Sequence, residues 1–92
     1  MRIYLVCYDI TDDDTRLAVS KILGEYGERV QRSVFEVAVR SEVELERLRA
    51  RLEEALGDIP ELRFYPLCGR CRKESYTLAG GRIAVFPSTI IV

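Results

Sequence analysis

The stretch Arg2-Ile3-Tyr4-Leu5-Val6-Cys7-Tyr8-Asp9 is where the fold is decided. It is rich in strand formers and bounded by Thr11-Asp12-Asp13-Asp14, so it reads as a β-strand. Side chains alternate along a strand, so Ile3, Leu5 and Cys7 point one way and Tyr4, Val6 and Tyr8 the other. Both sets are apolar, and a strand of this kind needs cover on both faces.

Residues 11–26 read as the first helix that supplies such cover. Thr11 or Asp12 can cap it, and Asp13 and Asp14 complement the helix dipole in the first turn. Val19, Ile22, Leu23 and Tyr26 fall on one stripe, and Gly27 suits the helix end. Residues 29–40 return to strand character through Val30, Val34, Phe35, Val37 and Val39. No Gly, Pro, Asn or Asp within them marks a hairpin, so read alone they form one long strand; a division into two requires a bend near residues 31–33. Ser41 then opens a second helix with a capping box, Ser41-x-x-Glu44, and Leu45, Leu48, Leu52, Ala55 and Leu56 form its buried stripe. Gly57-Asp58 ends it. Residues 62–67 read as another strand, with Pro66 favouring an edge or a strand end. After Cys68-Gly69-Arg70-Cys71 the pattern loosens, Gly80-Gly81 punctuates, and residues 83–92 return as one or two short strands broken at Pro87.

The order strand, helix, one or two strands, helix, strand indicates an α+β sandwich with two helices on one side of a sheet. Two helices cover one face, and little sequence remains for the other. A second copy of the chain is the economical cover, so a homodimer packed through its sheets is expected, with residues 83–92 pairing to the partner's sheet edge.

Composition narrows the functions. The chain has 92 residues, enough for one core. Fourteen Lys and Arg against 15 Asp and Glu give a net charge of −1, so there is no general basic coat and a polyanion site must come from local clustering. There is no His, which removes the commonest general base and metal ligand. The three Cys and the short apolar run after Met1 do not read as a secreted disulfide scaffold or a membrane span; a cytoplasmic protein with reduced thiols and no membrane partner is expected.

Asp9 is the first residue with chemical interest. At a strand end before a helix it is, on spacing alone, a turn residue. At a symmetric interface two copies of it can instead share a hard cation such as Mg²⁺, which takes carboxylate and water oxygens. Asp12, Asp13 and Asp14 are explained by capping. Arg16, Arg29 and Arg32 are candidate phosphate binders, since guanidinium matches phosphate oxygens in pairs. Arg63, Arg70, Arg72 and Lys73 make a second basic run. Tyr8 and Phe35 read first as core, and as base-stacking rings if a nucleic acid binds. Cys68-x-x-Cys71 lacks the second pair that zinc needs, and its position after a late strand is unlike a thioredoxin centre, although Arg72 and Lys73 are suited to activating a thiol.

Three segments converge on one family: Tyr8-Asp9-Ile10-Thr11-Asp12-Asp13, then Tyr26-Gly27-Glu28-Arg29-Val30-Gln31-Arg32-Ser33-Val34-Phe35-Glu36, then Arg63-Phe64-Tyr65-Pro66-Leu67-Cys68. Together they resemble the small CRISPR-associated family called Cas-two, over nearly the whole chain. The resemblance implies a single ferredoxin-like βαββαβ domain over residues 1–92 that dimerises, with residues 79–92 exchanged with or pairing to the partner subunit. It also implies spacer acquisition with the Cas-one integrase, and a Mg²⁺- or Mn²⁺-dependent endonuclease activity on RNA or DNA. The family's metal-binding aspartate corresponds to Asp9, its helix arginine to Arg16, its second-strand arginine to Arg29 and its aromatic to Phe35. A second helix arginine found in some members is Ala18 here. The resemblance gives Cys68 and Cys71 no role.

Three functions are therefore expected in order: a dimeric metal-dependent phosphodiesterase with Asp9 as catalytic metal ligand; a non-catalytic DNA-binding dimer bridging integrase subunits through Arg16, Arg29 and the basic run; and a thiol redox or zinc module at Cys68 and Cys71.

Overall fold

The computed structural model describes residues 1–57 and 62–81. Strand β1 (Arg2–Tyr8) is followed by helix α1 (Asp13–Gly24), strands β2 (Gly27–Gln31) and β3 (Val34–Val39), helix α2 (Glu42–Leu56), strand β4 (Leu62–Leu67) and a short helix α3 (Gly69–Glu74). The four strands form one antiparallel sheet in the order β2-β3-β1-β4. This is the ferredoxin-like α+β arrangement.

β1 is central, and its alternation sets both faces. Tyr4, Val6 and Tyr8 join Phe35, Val37 and Val39 of β3, Val19 and Leu23 of α1, and Leu48 and Leu52 of α2 in the main core. Burying an aliphatic side chain of this kind stabilises the fold by about 1.5–3 kcal/mol, so these four helix residues fix α1 and α2 to the sheet. On the opposite face Ile3 and Ala38 are buried with Leu67 packed against them. No described helix residue belongs to that second cluster.

The helices begin where local chemistry expects. Asp12 caps α1 by accepting from the backbone N–H (2.9 Å) and the hydroxyl (2.7 Å) of Thr15. These two donors hold its carboxyl below the usual value. Ser41 caps α2 by accepting from Glu44 N–H, and the Glu44 carboxylate reaches back to Arg40 N–H. Gly57, with φ of 61°, closes α2. α1 is shorter than the periodicity indicates, because Glu25 and Tyr26 donate to the carbonyls three residues back, Ile22 and Leu23, and tighten the last turn.

Residues 29–40 are two strands, not one. β2 and β3 form a hairpin with Gln31 opposite Val34, closed by Arg32-Ser33, and the register shifts at Val30. The bulge and a turn without Gly, Asn or Asp hide the break from sequence. Gly27 sits where β2 crosses β3 closely: a Cβ there would lie 1.8 Å from the Glu36 carbonyl oxygen. Among the described strands β4 lies at an edge of the sheet, a position that Pro66 favours. The residues after Cys68 form α3, which the loosened pattern does not reveal. Gly80, at φ 90°, and Gly81 close a turn onto Thr77, as their spacing suggests. The expected strand over residues 83–92 lies outside the described residues.

Candidate functional site

Two grooves flank the end of β1, one on each side of the sheet. The first, of about 370 Å³, is lined by Asp13, Arg16, Leu17, Ser20, Arg29 and Arg32. It brings together the three arginines that the sequence offers as phosphate binders. Each has a structural support. Arg16 donates to the Asp13 carboxylate and, at 3.4 Å, to the Ile10 carbonyl. The Arg29 guanidinium lies over the Phe35 ring, 5.3 Å from its centroid. Arg32 stands in the β2–β3 turn, and its carbonyl accepts from the Tyr8 hydroxyl.

Tyr8 and Phe35 act beneath this groove. Their rings stack on each other at 6.4 Å and are 5% and 3% exposed, so neither presents a face to a nucleic-acid base. In this arrangement the two rings support the groove from beneath. The strand's alternation turns Tyr8 toward the helices, and Phe35 lies on the same face. The Tyr8 hydroxyl donates its one proton to the Arg32 carbonyl, leaving the Ser20 hydroxyl, 2.9 Å away, to donate to it. Tyr8 thus ties α1 to the turn that carries Arg32. Ser20 is not a residue that the sequence marks out; its one signal is the four-residue step from Arg16 along one helix face.

The second groove, of about 310 Å³, is lined by Cys7, Tyr8, Asp9, Arg63 and Tyr65. Asp9 is exposed just beyond the strand end. Arg63 donates to the Tyr65 hydroxyl at 3.3 Å. The structure therefore does not gather Asp9 with Arg16, Arg29 and Arg32 in one cavity. Asp9 follows the parity of Ile3, Leu5 and Cys7, away from the helices.

Metal chemistry is restricted by donor number. Among the described residues no three acidic, Cys or His side chains come together around a common point. Asp12 is engaged as a cap and Asp13 with Arg16, so the acidic run is accounted for locally. Asp9 supplies one carboxylate. That suits a hard cation that keeps waters and takes one or two protein oxygens, and it suits no multidentate cage within one chain.

These features match a known group. The family model described as CRISPR associated protein Cas2 matches residues 1–75. The chain belongs to the Cas2 family. Among its relatives, an endoribonuclease Cas2 of Rhodospirillum rubrum is 42% identical over 76 residues, 77% of this chain and 57% of that protein. An endoribonuclease Cas2 of Chloroflexus aurantiacus is 39% identical over 85% of each chain. The chain thus spans little more than half the length of the first relative and most of the second. Among solved Cas2 structures, the Streptococcus pyogenes protein superposes with a TM-score of 0.71 at 30% identity, over 83% of this chain and 98% of that one. A chain from a partial Cas6-RT-Cas1–Cas2 complex superposes with a TM-score of 0.84 at 33% identity, over 94% and 100%. Among the described residues, no helix is long and apolar enough to cross a membrane.

Proposed function

We propose that this Cas2-family chain works in CRISPR spacer acquisition beside an integrase of the Cas1 kind, as a homodimer with metal-dependent endonuclease activity on RNA or DNA. Supporting the acquisition role is the likeness to a chain found in a Cas1–Cas2 complex. Supporting the nuclease is the naming of relatives as endoribonucleases and, in Thermus thermophilus, as an endonuclease. The single observation that carries the site is the placement of Asp9, exposed at the end of the central strand beside the sheet face that α1 and α2 leave uncovered.

Pairing through that face covers the half-buried Leu5 and Cys7 and the exposed Tyr65, beside the already buried Ile3 and Ala38, and brings in a second Asp9. The two Asp9 carboxylates are the residues that would hold Mg²⁺ or Mn²⁺. Such an ion, when bound, offsets charge at a phosphate and makes water a stronger nucleophile near neutral pH. The chain's own part is to present the carboxylates, with Arg63 in the same groove as a cation for a phosphate oxygen. With no His in the sequence, this groove offers no imidazole base.

A second reading is favoured by the other groove. Arg16, Arg29 and Arg32 are gathered on the helix side, with Arg16 held by Asp13, Arg29 over Phe35 and the backbone of Arg32 tied to Tyr8, as suits docking to a nucleic-acid backbone without chemistry. This is the scaffold role, a dimer that bridges integrase subunits on DNA.

A cleavage assay on single-stranded RNA and duplex DNA, with and without Mg²⁺, separates the two. Under the nuclease reading the natural chain cleaves only with Mg²⁺, and Asp9→Asn loses cleavage while sedimenting as a dimer. Undiminished cleavage by Asp9→Asn assigns the activity elsewhere and leaves the scaffold role.

A further inference from the structure

Cys68 and Cys71 are absorbed by neither reading, and the structure gives them a defined relation. Cys68 is the residue that caps α3, and Cys71 lies in its first turn. Their sulfurs are 3.2 Å apart, and the Cys68 sulfur also accepts from the Cys71 backbone N–H at 3.4 Å. Both residues are exposed and neither is in a disulfide. Cys7, the third cysteine, is half-buried in β1.

We propose that Cys68 and Cys71 are a reversible dithiol–disulfide pair, with Cys68 the attacking sulfur and a low-molecular-weight disulfide the oxidant. Two thiols already in contact need little rearrangement: the sulfurs close from 3.2 Å to about 2.05 Å by side-chain rotation. Two cysteines alone leave zinc two ligands short, and among the described residues no third donor joins them.

The two sulfurs are not equivalent. The Cys71 N–H and thiol both stabilise a Cys68 thiolate, and its thiol is held below the usual value. The same contact pushes the Cys71 thiol up. The roles follow. The Cys68 thiolate attacks one sulfur of the small disulfide, a mixed disulfide forms, and one small thiolate leaves. Cys71, on losing its proton, attacks the Cys68 sulfur, the mixed bond breaks, and the second small thiolate leaves. Overall two protein thiols give up two electrons and two protons, and the small disulfide becomes two thiols. The bond formed staples the end of β4 to the first turn of α3.

The test uses the full chain equilibrated in glutathione buffers of increasing oxidised fraction, quenched with a thiol-alkylating reagent and read by peptide mass. Cys68 and Cys71 are expected to lose label together as an intrachain disulfide, with Cys7 still labelled. Cys71→Ser should stop at a glutathione adduct on Cys68. Cys68→Ser should form an adduct on Cys71 more slowly, because the Cys71 sulfur lacks the backbone N–H that supports a Cys68 thiolate and still faces the Glu74 charge. Serine is a good helix cap, so Cys68→Ser keeps α3 in place, and matching thermal unfolding curves check that. Equal rates in the two variants, persistent labelling of both cysteines at the most oxidising ratio, or a disulfide formed only between chains would each overturn the proposal.

Discussion

Tyr8 and Asp9 are neighbours in the chain, yet the Tyr8 hydroxyl reaches Ser20 and the Arg32 carbonyl on the helix side while Asp9 lies in the groove shared with Arg63 and Tyr65. The two grooves differ in how their charges are held. On the helix side, the Arg16 and Arg29 guanidinium groups are braced by an aspartate and a phenyl ring, and a tyrosine hydroxyl reaches from strand to the backbone of Arg32 in the turn. On the other side, Asp9 is exposed and shares its groove with Arg63 and Tyr65. The first is a finished, positively charged surface within one chain. The second, under the proposed pairing, is half of an arrangement that a second copy completes. The proposed backbone binding and the proposed cleavage thus fall in separate places.

The largest expected effect comes from breaking the wall of the arginine groove. In Gly27→Ala the new methyl meets the Glu36 carbonyl, backbone against backbone, so β2 must move away from β3. We expect a loss of about 3 kcal/mol in denaturant unfolding. Tyr65→Ala, an exposed change in the Asp9 groove, should stay within about 0.5 kcal/mol. A reversal of that ranking would show that β2 is not what holds the helix-side groove.

A smaller effect sharpens the role of Tyr8. Tyr8→Phe keeps the ring in the core and removes the hydroxyl that joins Ser20 to the Arg32 carbonyl. The expected cost is about 1 kcal/mol by the same unfolding measurement. Weaker duplex binding should accompany it, with Mg²⁺-dependent cleavage per bound substrate unchanged.

The smallest effect is in acid. Asp12 borders the arginine groove's helix, and its carboxyl is held below the ordinary 3.8 by Thr15. Because the folded value is the lower one, the unfolded chain takes up the proton first as pH falls. The stabilisation is present above 3.8 and is lost as pH drops through the folded value. Asp12→Asn retains a cap but has no such titration. Its unfolding midpoint, followed below about pH 4, should therefore fall less steeply than that of the natural chain.

Much of this is legible in the residues. The apolar alternation of β1 implies a sheet with two dissimilar faces, and the same parity, carried one residue further, separates Asp9 from Tyr8. Asp12, Ser41 and Gly57 mark helix ends by chemistry that acts within a few residues. Pro66, with no N–H to donate, marks a strand that lies at an edge among the described residues. What stays hidden depends on tertiary context. The β2–β3 turn, Arg32-Ser33, carries no Gly, Pro, Asn or Asp, and the bulge at Val30 disguises the alternation. α3 is too short, at six residues, to show periodicity. That Tyr8 and Phe35 belong to the core is undecided in composition; it follows from which face α1 and α2 cover.

The most direct test of separate grooves is the salt dependence of duplex DNA binding, compared between Asp9→Asn and the double variant Arg16→Ala with Arg29→Ala. The slope of log affinity against log salt should fall by about 2 in the double variant, about 1 for each phosphate that an arginine no longer neutralises. Asp9→Asn is expected to keep the natural slope. A slope that falls as far in Asp9→Asn as in the arginine variant, or that the arginine variant leaves unchanged, would contradict the assignment of backbone binding to the helix-side groove.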